Sequence, residues 1–336
     1  MSEPVLRIED LRVSFATRGR RLRAVDGIGL EVHAGETLGV VGESGCGKSV
    51  TALAVLRLLP EQPARIESGH VWFGGEDLLT LPAERLRRIR GRGIAMIFQE
   101  PMTALNPVFR IGSQIEEALA IHTGLDARAR RARVVELLAL VGIPDPEKRA
   151  RAYPHELSGG MRQRAMIAMA LACDPAVLIA DEPTTALDVT IQAQILRLID
   201  DLKRRLHMAV LLITHDLGIV AESAQRVAVV YAGRVVETGP ASELLSAPRH
   251  PYTRGLLAAL PSGHGARRAA LHVIPGSVPD LAARPKGCSF RPRCERGDAL
   301  CEQVDPALAE DGRGRAVACH HPVPWPSGAG ASEARA

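Results

Sequence analysis

Aromatic residues and long apolar runs are both scarce in this chain. Phe, Trp and Tyr make up only 3% of its 336 residues, so the core must be built mainly from aliphatic side chains. The longest apolar stretch, Ala165–Cys173, is far too short to cross a bilayer. The opening residues, MSEPVLRIED, contain no apolar segment of the secretory type. These absences predict a cytoplasmic protein that serves a membrane only by docking onto other subunits.

The charge balance gives no reason to expect a nucleic-acid partner. The formal net charge is only +4, whereas a nucleic-acid binder shows a concentrated basic face. Two basic runs, Arg85–Arg92 and Arg128–Arg133, have the helical spacing that is typical of solvated helix faces. We therefore expect no nucleic acid among the partners.

A glycine-rich turn lies between a predicted strand, Leu38–Val41, and a predicted helix, Ser49–Leu59, and it matches the phosphate-binding pattern. Its glycines let backbone N–H groups surround phosphate oxygens, and the helix N-terminus adds a partial positive charge. Lys48 is predicted to reach the β- and γ-phosphates, and the Ser49 hydroxyl to bind Mg²⁺. The predicted ATP-binding residues of this turn are Gly42, Glu43, Ser44, Gly45, Cys46, Gly47, Lys48 and Ser49.

The lysine in this turn is notable because the chain otherwise uses arginine. Of its 42 Lys and Arg residues, only four are lysines. A lysine supplies a compact point charge on a flexible stem, which suits a phosphate site. A chance glycine turn before a helix is the alternative, and it leaves both the flanks and the choice of lysine unexplained.

A second predicted strand, Val177–Ala180, is followed directly by two carboxylates, Asp181 and Glu182. In a doubly wound sheet this carboxyl end lies beside the phosphate turn. Asp181 is therefore predicted to hold Mg²⁺, and Glu182 to act as general base on the attacking water. Many strands end in acidic residues, so the pairing with the phosphate turn makes this interpretation specific.

A second helix start also has the composition of an anion site. Ser158, Gly159 and Gly160 precede the predicted helix Arg162–Leu171, and such a helix N-terminus can bind phosphate. An ordinary N-cap with glycines for close packing is the alternative. Two phosphate sites in one chain predict a dimer in which each chain caps the nucleotide of the other.

Taken together, these motifs resemble those of the ATP-binding subunits of ABC transporters. Residues 157–161 match the signature of that family, with Met161 where Gln is commonest. The resemblance implies that Gln99 contacts Mg²⁺ and the attacking water, that Asp188 crosses the dimer interface, and that His215 contacts the γ-phosphate. It also implies a head-to-tail dimer that encloses two ATP molecules.

The resemblance further implies an aromatic residue that stacks on adenine. Phe15 is the candidate, because few aromatic residues precede the phosphate turn. A core residue of the N-terminal sheet is an alternative interpretation of Phe15, and both stay open.

Two stretches resemble the ATPases of dipeptide and oligopeptide importers: Phe98–Pro107, and His250–Thr253 with the cysteine-bearing extension that follows. The resemblance runs to about Pro322. It implies a second ATPase subunit, in a heterodimer rather than a homodimer, two membrane permeases and an extracytoplasmic solute-binding protein. The chain would lie peripherally on the cytoplasmic face of the inner membrane. Because the solute never touches this chain, nickel, glutathione or another small solute remains an alternative to peptides.

Two functions of a different class are also alternatives. ABC ATPases of DNA repair or translation usually fuse two ATPase units or insert long coiled coils, but this chain has one unit and no heptad run. A regulatory subunit with a dead site would have no need of Lys48, Asp181, Glu182 and His215 together. The sequence therefore favours an active transport ATPase.

The predicted fold is α/β: a P-loop NTPase core with an antiparallel β-subdomain, an inserted helical subdomain and a small cysteine-containing C-terminal extension. Strands alternating with helices predict a mainly parallel sheet. The predicted ranges are 1–261 for the ATPase domain, about 105–160 for its helical subdomain, 262–326 for the extension and 327–336 for a disordered tail.

Four of the six cysteines lie in the predicted extension, at Cys288, Cys294, Cys301 and Cys319. In a reducing cytosol they indicate a metal more than disulfides, and four thiolates suit either zinc or a [4Fe–4S] cluster. The spacing lacks the C-x-x-C pairs of a zinc ribbon. Some importer ATPases that this chain resembles carry an iron–sulfur cluster here, which favours the cluster. Four unrelated thiols are the alternative.

Overall fold

The computed structural model describes residues 3–17, 19–99, 104–185, 187–260, 273–312 and 314–324. The predicted tail, 327–336, and the composition change near 261–266 lie outside these ranges. The strands are β1 Leu6–Thr17, β2 Arg20–Val32, β3 Thr37–Val41, β4 Ala64–Phe73, β5 Glu76–Asp77, β6 Ile94–Ile97, β7 Val177–Asp181, β8 Ala209–Thr214, β9 Arg226–Tyr231, β10 Arg234–Pro240, β11 Ala309–Glu310 and β12 Ala316–Val317. The helices are α1 Lys48–Val55, α2 Ala83–Ile89, α3 Ile111–His122, α4 Ala127–Leu140, α5 Pro146–Ala150, α6 Gly159–Ala170, α7 Val189–Leu206, α8 Leu217–Ser223, α9 Ala241–Ser246, α10 Pro251–Ala258 and α11 Ala299–Gln303.

The N-terminal strands form an antiparallel sheet in the order β2-β1-β4-β5. Apolar residues of β1, such as Leu6, Ile8 and Val13, are buried against the core. The sequence predicted only Val71–Phe73 of β4, but the strand begins at Ala64 and pairs with β1 along most of its length. Ala64 and Ile66 alternate with exposed Arg65 and Glu67, but Ser68, Gly69 and His70 then interrupt the apolar alternation before the predicted segment.

The larger sheet contains the parallel core and has the order β11-β12-β10-β9-β3-β8-β7-β6. Strands β6, β7, β8, β3 and β9 pair in parallel. Every residue of β3, β7 and β8 is buried, as expected for strands covered on both faces. Because parallel strands share one carboxyl edge, the segments that follow β3, β7 and β8 meet there.

Helices α3 to α5 lie within the predicted helical subdomain, about 105–160, and α6 begins at its end. The apolar side chains of these helices are continuous with one face of the parallel sheet, where Ile115, Leu119 and Leu137 share a buried cluster with Ile167 and Leu178. This arrangement confirms the α/β core with an antiparallel sheet and an inserted helical subdomain. The shared cluster also packs α6 against β7.

The C-terminal residues continue the larger sheet, since β12 pairs with β10 and β11 pairs with β12. The sequence did not predict these strands, because two residues are too few to show a period. A buried ion pair fastens the same region: Arg315 donates to Glu237 at 2.9 Å, and both residues are at most 2% exposed. The Glu237 carboxylate also accepts the N–H groups of Arg249 and His250, which satisfies the buried charge.

Within the described ranges, no helix has both the length and the apolar composition that spanning a membrane requires.

Candidate active site

The phosphate turn joins β3 to α1 and is shaped by two glycines that no other residue could replace. A Cβ atom on Gly42 would lie 2.1 Å from the carbonyl oxygen of Val230. A Cβ on Gly47 would lie 2.5 Å from the carbonyl oxygen of Ala24, and Gly47 has a φ of 100° at the N-cap of α1. The close approach of neighbouring backbone therefore holds the turn in one shape.

Lys48 extends from the first turn of α1 back across this loop. Its ammonium donates to the carbonyl oxygens of Gly42 at 2.7 Å and Glu43 at 3.0 Å. The side chain is buried, at 5% exposed. The charge of Lys48 is thus held at the mouth of the turn by backbone oxygens.

Ser49 and Asp181 meet where α1 begins and β7 ends. The Ser49 hydroxyl donates to Asp181 at 2.9 Å. Burial raises the pKa of Asp181, and the hydrogen bond from Ser49 only partly opposes this effect. A hydroxyl and a carboxylate in contact supply the oxygen ligands that Mg²⁺ prefers. The structure therefore brings these two sequence-predicted residues together.

Glu182 lies at the centre of a polar group at the carboxyl edge. Its carboxylate accepts hydrogen bonds from Gln99 Nε2 at 3.0 Å and Thr185 Oγ1 at 2.9 Å, and it lies 3.2 Å from Nδ1 of His215. Burial would raise the pKa of Glu182, but the hydrogen bonds from Thr185 and His215 lower it below the usual value. The carboxylate is therefore charged at neutral pH and can accept a proton.

The backbone at Glu182 is in the left-handed region, with a φ of 46°. A non-glycine residue there costs about 1–2 kcal/mol, so the surroundings must hold it in place. One such contact is the bond from the Glu182 N–H to the carbonyl oxygen of Ile213, at 2.9 Å. The strained backbone is therefore at Glu182 itself, the residue whose carboxylate orientation matters.

Two contacts near Glu182 were not predicted from the sequence. Thr185 holds the carboxylate from within the same turn. Gln163, which is 1% exposed in α6, donates to the carbonyl oxygen of Pro183 and so ties the signature helix to the turn that carries Glu182. A threonine three positions downstream was a weak local signal. No local signal in the sequence marked the Gln163 contact, since it depends on the packing of α6 against β7.

The signature residues form the start of α6. The Ser158 hydroxyl accepts the N–H of Met161 at 3.3 Å, which makes it the N-cap. Ser158 and Gly159 are exposed, whereas Gly160 packs closely on Ile191. Two helix starts therefore lie side by side at the surface, because Ile191 belongs to the first turn of α7.

Asp188 is the N-cap of α7, where its carboxylate accepts the N–H of Ile191 at 3.0 Å. The residue is exposed. Ala186, two positions before Asp188, lies outside the described residues.

Phe15 is half-buried in β1, opposite Leu22 of β2 and Ala64 of β4. It packs against the apolar cluster beneath the antiparallel sheet. This position is compatible with a core role, and its exposed part is compatible with stacking on a base.

Three large apolar side chains that flank Gln99 in the sequence are exposed. Phe98, Val108 and Phe109 are 39%, 70% and 56% exposed. Residues 100–103 of the predicted motif lie outside the described residues.

The four C-terminal cysteines line one small cavity. Cys301 is buried and the other three are half-buried. Burial raises the pKa of Cys288 to about 11, and it also raises the pKa of Cys301 and Cys319. A metal would therefore have to displace thiol protons. The structure places the four predicted ligands around a common space.

The spacing of the four sulfurs bears on the kind of metal. Among the described residues, the group whose ligand atoms all lie within 4.8 Å of one another is Asp298, Cys301 and His321, not the four cysteines. A single zinc ion at about 2.3 Å from each sulfur needs sulfurs roughly 3.8 Å apart. The four sulfurs are therefore not all at the distances from one another that a single zinc ion requires.

Two protein families match parts of this chain. Residues 25–185 match the family described as ABC transporter, and residues 236–301 match the oligopeptide/dipeptide transporter C-terminal region. A probable peptide ABC transporter ATP-binding protein of Sinorhizobium fredii is 54% identical over 94% of both chains. A putative peptide import ATP-binding protein of Brucella ovis is 53% identical over 91% of this chain and 94% of its own length.

Solved structures with the same fold are also similar in sequence. A dimeric ATP-binding cassette in a post-hydrolysis state, bound to ADP and Pi, has a TM-score of 0.63 at 25% identity, covering 70% of this chain and 98% of its own. A component of the cbiONQ ABC transporter complex of Clostridium perfringens has a TM-score of 0.61 at 27% identity, covering 73% of this chain and 92% of its own.

Proposed function

This chain belongs to the ATP-binding proteins of ABC transporters, and from that premise we propose that it hydrolyses ATP to drive peptide import through partner membrane permeases. The observation that carries the proposal is the meeting of Lys48, Ser49, Asp181 and Glu182 at one sheet edge. The peptide solute is supported by the named relatives and by the match to the peptide-transporter C-terminal region.

ATP binding falls to the phosphate turn. The backbone N–H groups of residues 42–49 and the Lys48 ammonium would hold the β- and γ-phosphates. Ser49 and Asp181 would hold Mg²⁺ together with Gln99, and the ion supplies neutralisation of charge on the phosphate oxygens. Its bonds to the carbonyl oxygens of Gly42 and Glu43 keep Lys48 at the site before the nucleotide arrives. When ATP binds, phosphate oxygens would replace these carbonyl oxygens.

Hydrolysis requires a proton acceptor for the attacking water. Glu182 would take that proton as the water oxygen forms a bond to the γ-phosphorus and the bond to the bridging oxygen of ADP breaks. Thr185 and Gln99 hold the Glu182 carboxylate in position. The His215 side chain, which is 57% exposed and lies 3.2 Å from Glu182, would turn toward the γ-phosphate when ATP is bound. The products are ADP and phosphate.

A second chain completes the site in this proposal. The exposed N-terminus of α6, with Ser158, Gly159, Gly160 and Met161, would bind the γ-phosphate of ATP held by the partner. Asp188 lies on the same surface and would contact the partner chain. We propose that this second chain is a similar ATPase, in a heterodimer, rather than a second copy of this chain.

The exposed apolar side chains that flank Gln99 in the sequence would dock on the permease. Phe98, Val108 and Phe109 supply the apolar contact, and Gln99 connects it to Glu182. The chain would then lie on the cytoplasmic face of the inner membrane, and an extracytoplasmic solute-binding protein would deliver the peptide.

Reconstitution tests this function. We expect the chain, purified with its permeases and second ATPase in proteoliposomes, to hydrolyse ATP faster when the solute-binding protein and a dipeptide are supplied, and to accumulate the dipeptide. Nickel and glutathione serve as the alternative solutes. Stimulation by one of these and not by any peptide would reject the peptide assignment. An absence of hydrolysis would reject the ATPase itself.

We further propose that Cys288, Cys294, Cys301 and Cys319 hold a [4Fe–4S] cluster, with zinc as the alternative. The support is that four thiols line one cavity without meeting at single-ion distances. A group held there would connect segments of the extension that have little regular structure.

Metal analysis tests the cysteine assignment. We expect the anaerobically purified chain to contain iron and labile sulfide, and Cys294→Ser to lose most of both. Cys173→Ser is the control, since this half-buried thiol lies outside the cavity and bonds to the Ala118 carbonyl oxygen. Stoichiometric zinc without sulfide would replace the cluster by an ion. If the wild type contained neither iron nor zinc, the four cysteines would be unrelated thiols.

A further inference from the structure

Glu43, the second residue of the phosphate turn, is held at three separate points. Its N–H donates to the hydroxyl of Tyr252 at 2.8 Å. Its carbonyl oxygen accepts the Lys48 ammonium at 3.0 Å. Its carboxylate accepts two hydrogen bonds from Arg293, at 2.7 and 2.9 Å. Two of these three contacts come from residues that follow the parallel sheet in the chain.

Arg293 belongs to the cysteine-containing extension. It lies in a short 3₁₀ turn, Arg291–Arg293, between Cys288 and Cys294. The side chain is only 5% exposed, and it crosses the rings of Tyr231 and Phe290 at 5.8 and 6.0 Å. Its Nε donates to the carbonyl oxygen of Pro275 at 2.8 Å. The guanidinium is thus fixed before it meets Glu43.

The pairing is bidentate, which is the strongest form of contact between a guanidinium and a carboxylate. Its position matters because a turn that binds a triphosphate also carries the negative charge of Glu43. Unpaired, that carboxylate would repel the phosphates and could compete for the Lys48 ammonium. Paired, it has its charge neutralised and anchors the loop.

We propose that Arg293 is a positioning residue of the ATP site, through which the C-terminal extension neutralises Glu43 and holds the phosphate turn in its ATP-binding shape. The inference rests on the proposed function, since it concerns the same ATP site. It makes the extension part of the nucleotide site, and any event that displaces the turn between Cys288 and Cys294 alters ATP affinity. Tyr252, in α10, holds Glu43 as well, because its hydroxyl accepts the Glu43 N–H.

Calorimetric titration of the full-length chain with ATP and Mg²⁺ tests the role of Arg293. Arg293→Met removes the charge at similar length, and we expect it to raise the dissociation constant about tenfold. Adding Glu43→Gln to the same chain removes the unpaired carboxylate, and we expect it to restore the affinity to within about twofold of the wild type. Arg293→Lys keeps the charge without the fork and should fall between them.

The control is Arg254→Met, because Arg254 forms an exposed pair with Glu295 at 3.8 Å in the same region. It should bind ATP as the wild type does. Normal affinity in folded Arg293→Met, or a double variant as weak as the single one, would overturn the inference. If Arg293→Met does not fold, Arg293→Lys decides, and wild-type affinity there would also overturn it. Failure of the wild type to bind ATP would instead reject the proposed function.

Discussion

Glu182→Gln should lower the turnover of ATP roughly 10²- to 10⁴-fold, the range expected for loss of a general base. Glutamine keeps the size of the side chain and can still accept the hydrogen bonds from Thr185 and Gln99. It cannot take a proton from water. The dissociation constant for ATP should therefore change little, because Glu182 is placed on the water and not on the phosphates. Phosphate release measures the first quantity and calorimetry the second.

A matched substitution separates this effect from a general loss of structure. Glu84→Gln changes an exposed residue whose partner is Arg87, one helical turn away, and it should hydrolyse ATP at the wild-type rate. Turnover by Glu182→Gln at that same rate would remove Glu182 as the base. In the presence of the second ATPase, a variant that binds ATP without hydrolysing it should also accumulate as a dimer in size-exclusion chromatography, because the γ-phosphate that joins the two chains persists.

The residues of the site that could be predicted from sequence are those fixed by a local segment. Lys48 and Ser49 follow a strand and open a helix, so their neighbours along the chain define their position. Asp181 and Glu182 end a buried strand, and the parallel arrangement of β3 and β7 brings them to Ser49. In each case the period of the sequence and the rule of the shared carboxyl edge are sufficient.

The residues that escaped prediction make contacts across the fold. Gln163 meets Pro183 only because α6 packs against the end of β7. Tyr252 stood out in the sequence as part of a subfamily motif, but its hydroxyl finds the Glu43 N–H only once α10 has packed. Arg293 lies in a region rich in proline, glycine and arginine, where no period marks one arginine among many. Their partners are set by tertiary packing, which a single sequence does not encode locally.

Lys48→Ala should weaken ATP binding about 100-fold, or roughly 2.7 kcal/mol, which is within the range for hydrogen bonds to a charged group. The loss removes the cation that lies buried at the phosphate turn. Lys148→Ala is the matched control, because Lys148 is exposed in α5 and should bind ATP normally. Wild-type affinity in Lys48→Ala would contradict the assignment of the phosphate turn.

Lys48→Arg asks the sharper question, since it keeps the charge. We expect it to bind ATP nearly as weakly as Lys48→Ala, because the planar guanidinium is larger than an ammonium and does not fit the buried space that Lys48 occupies at the phosphate turn. Calorimetry on the two variants side by side measures the difference. If the arginine variant bound ATP as tightly as the wild type, any cation would serve at this position. The retention of a lysine in a chain that otherwise favours arginine would then have no basis in the phosphate site.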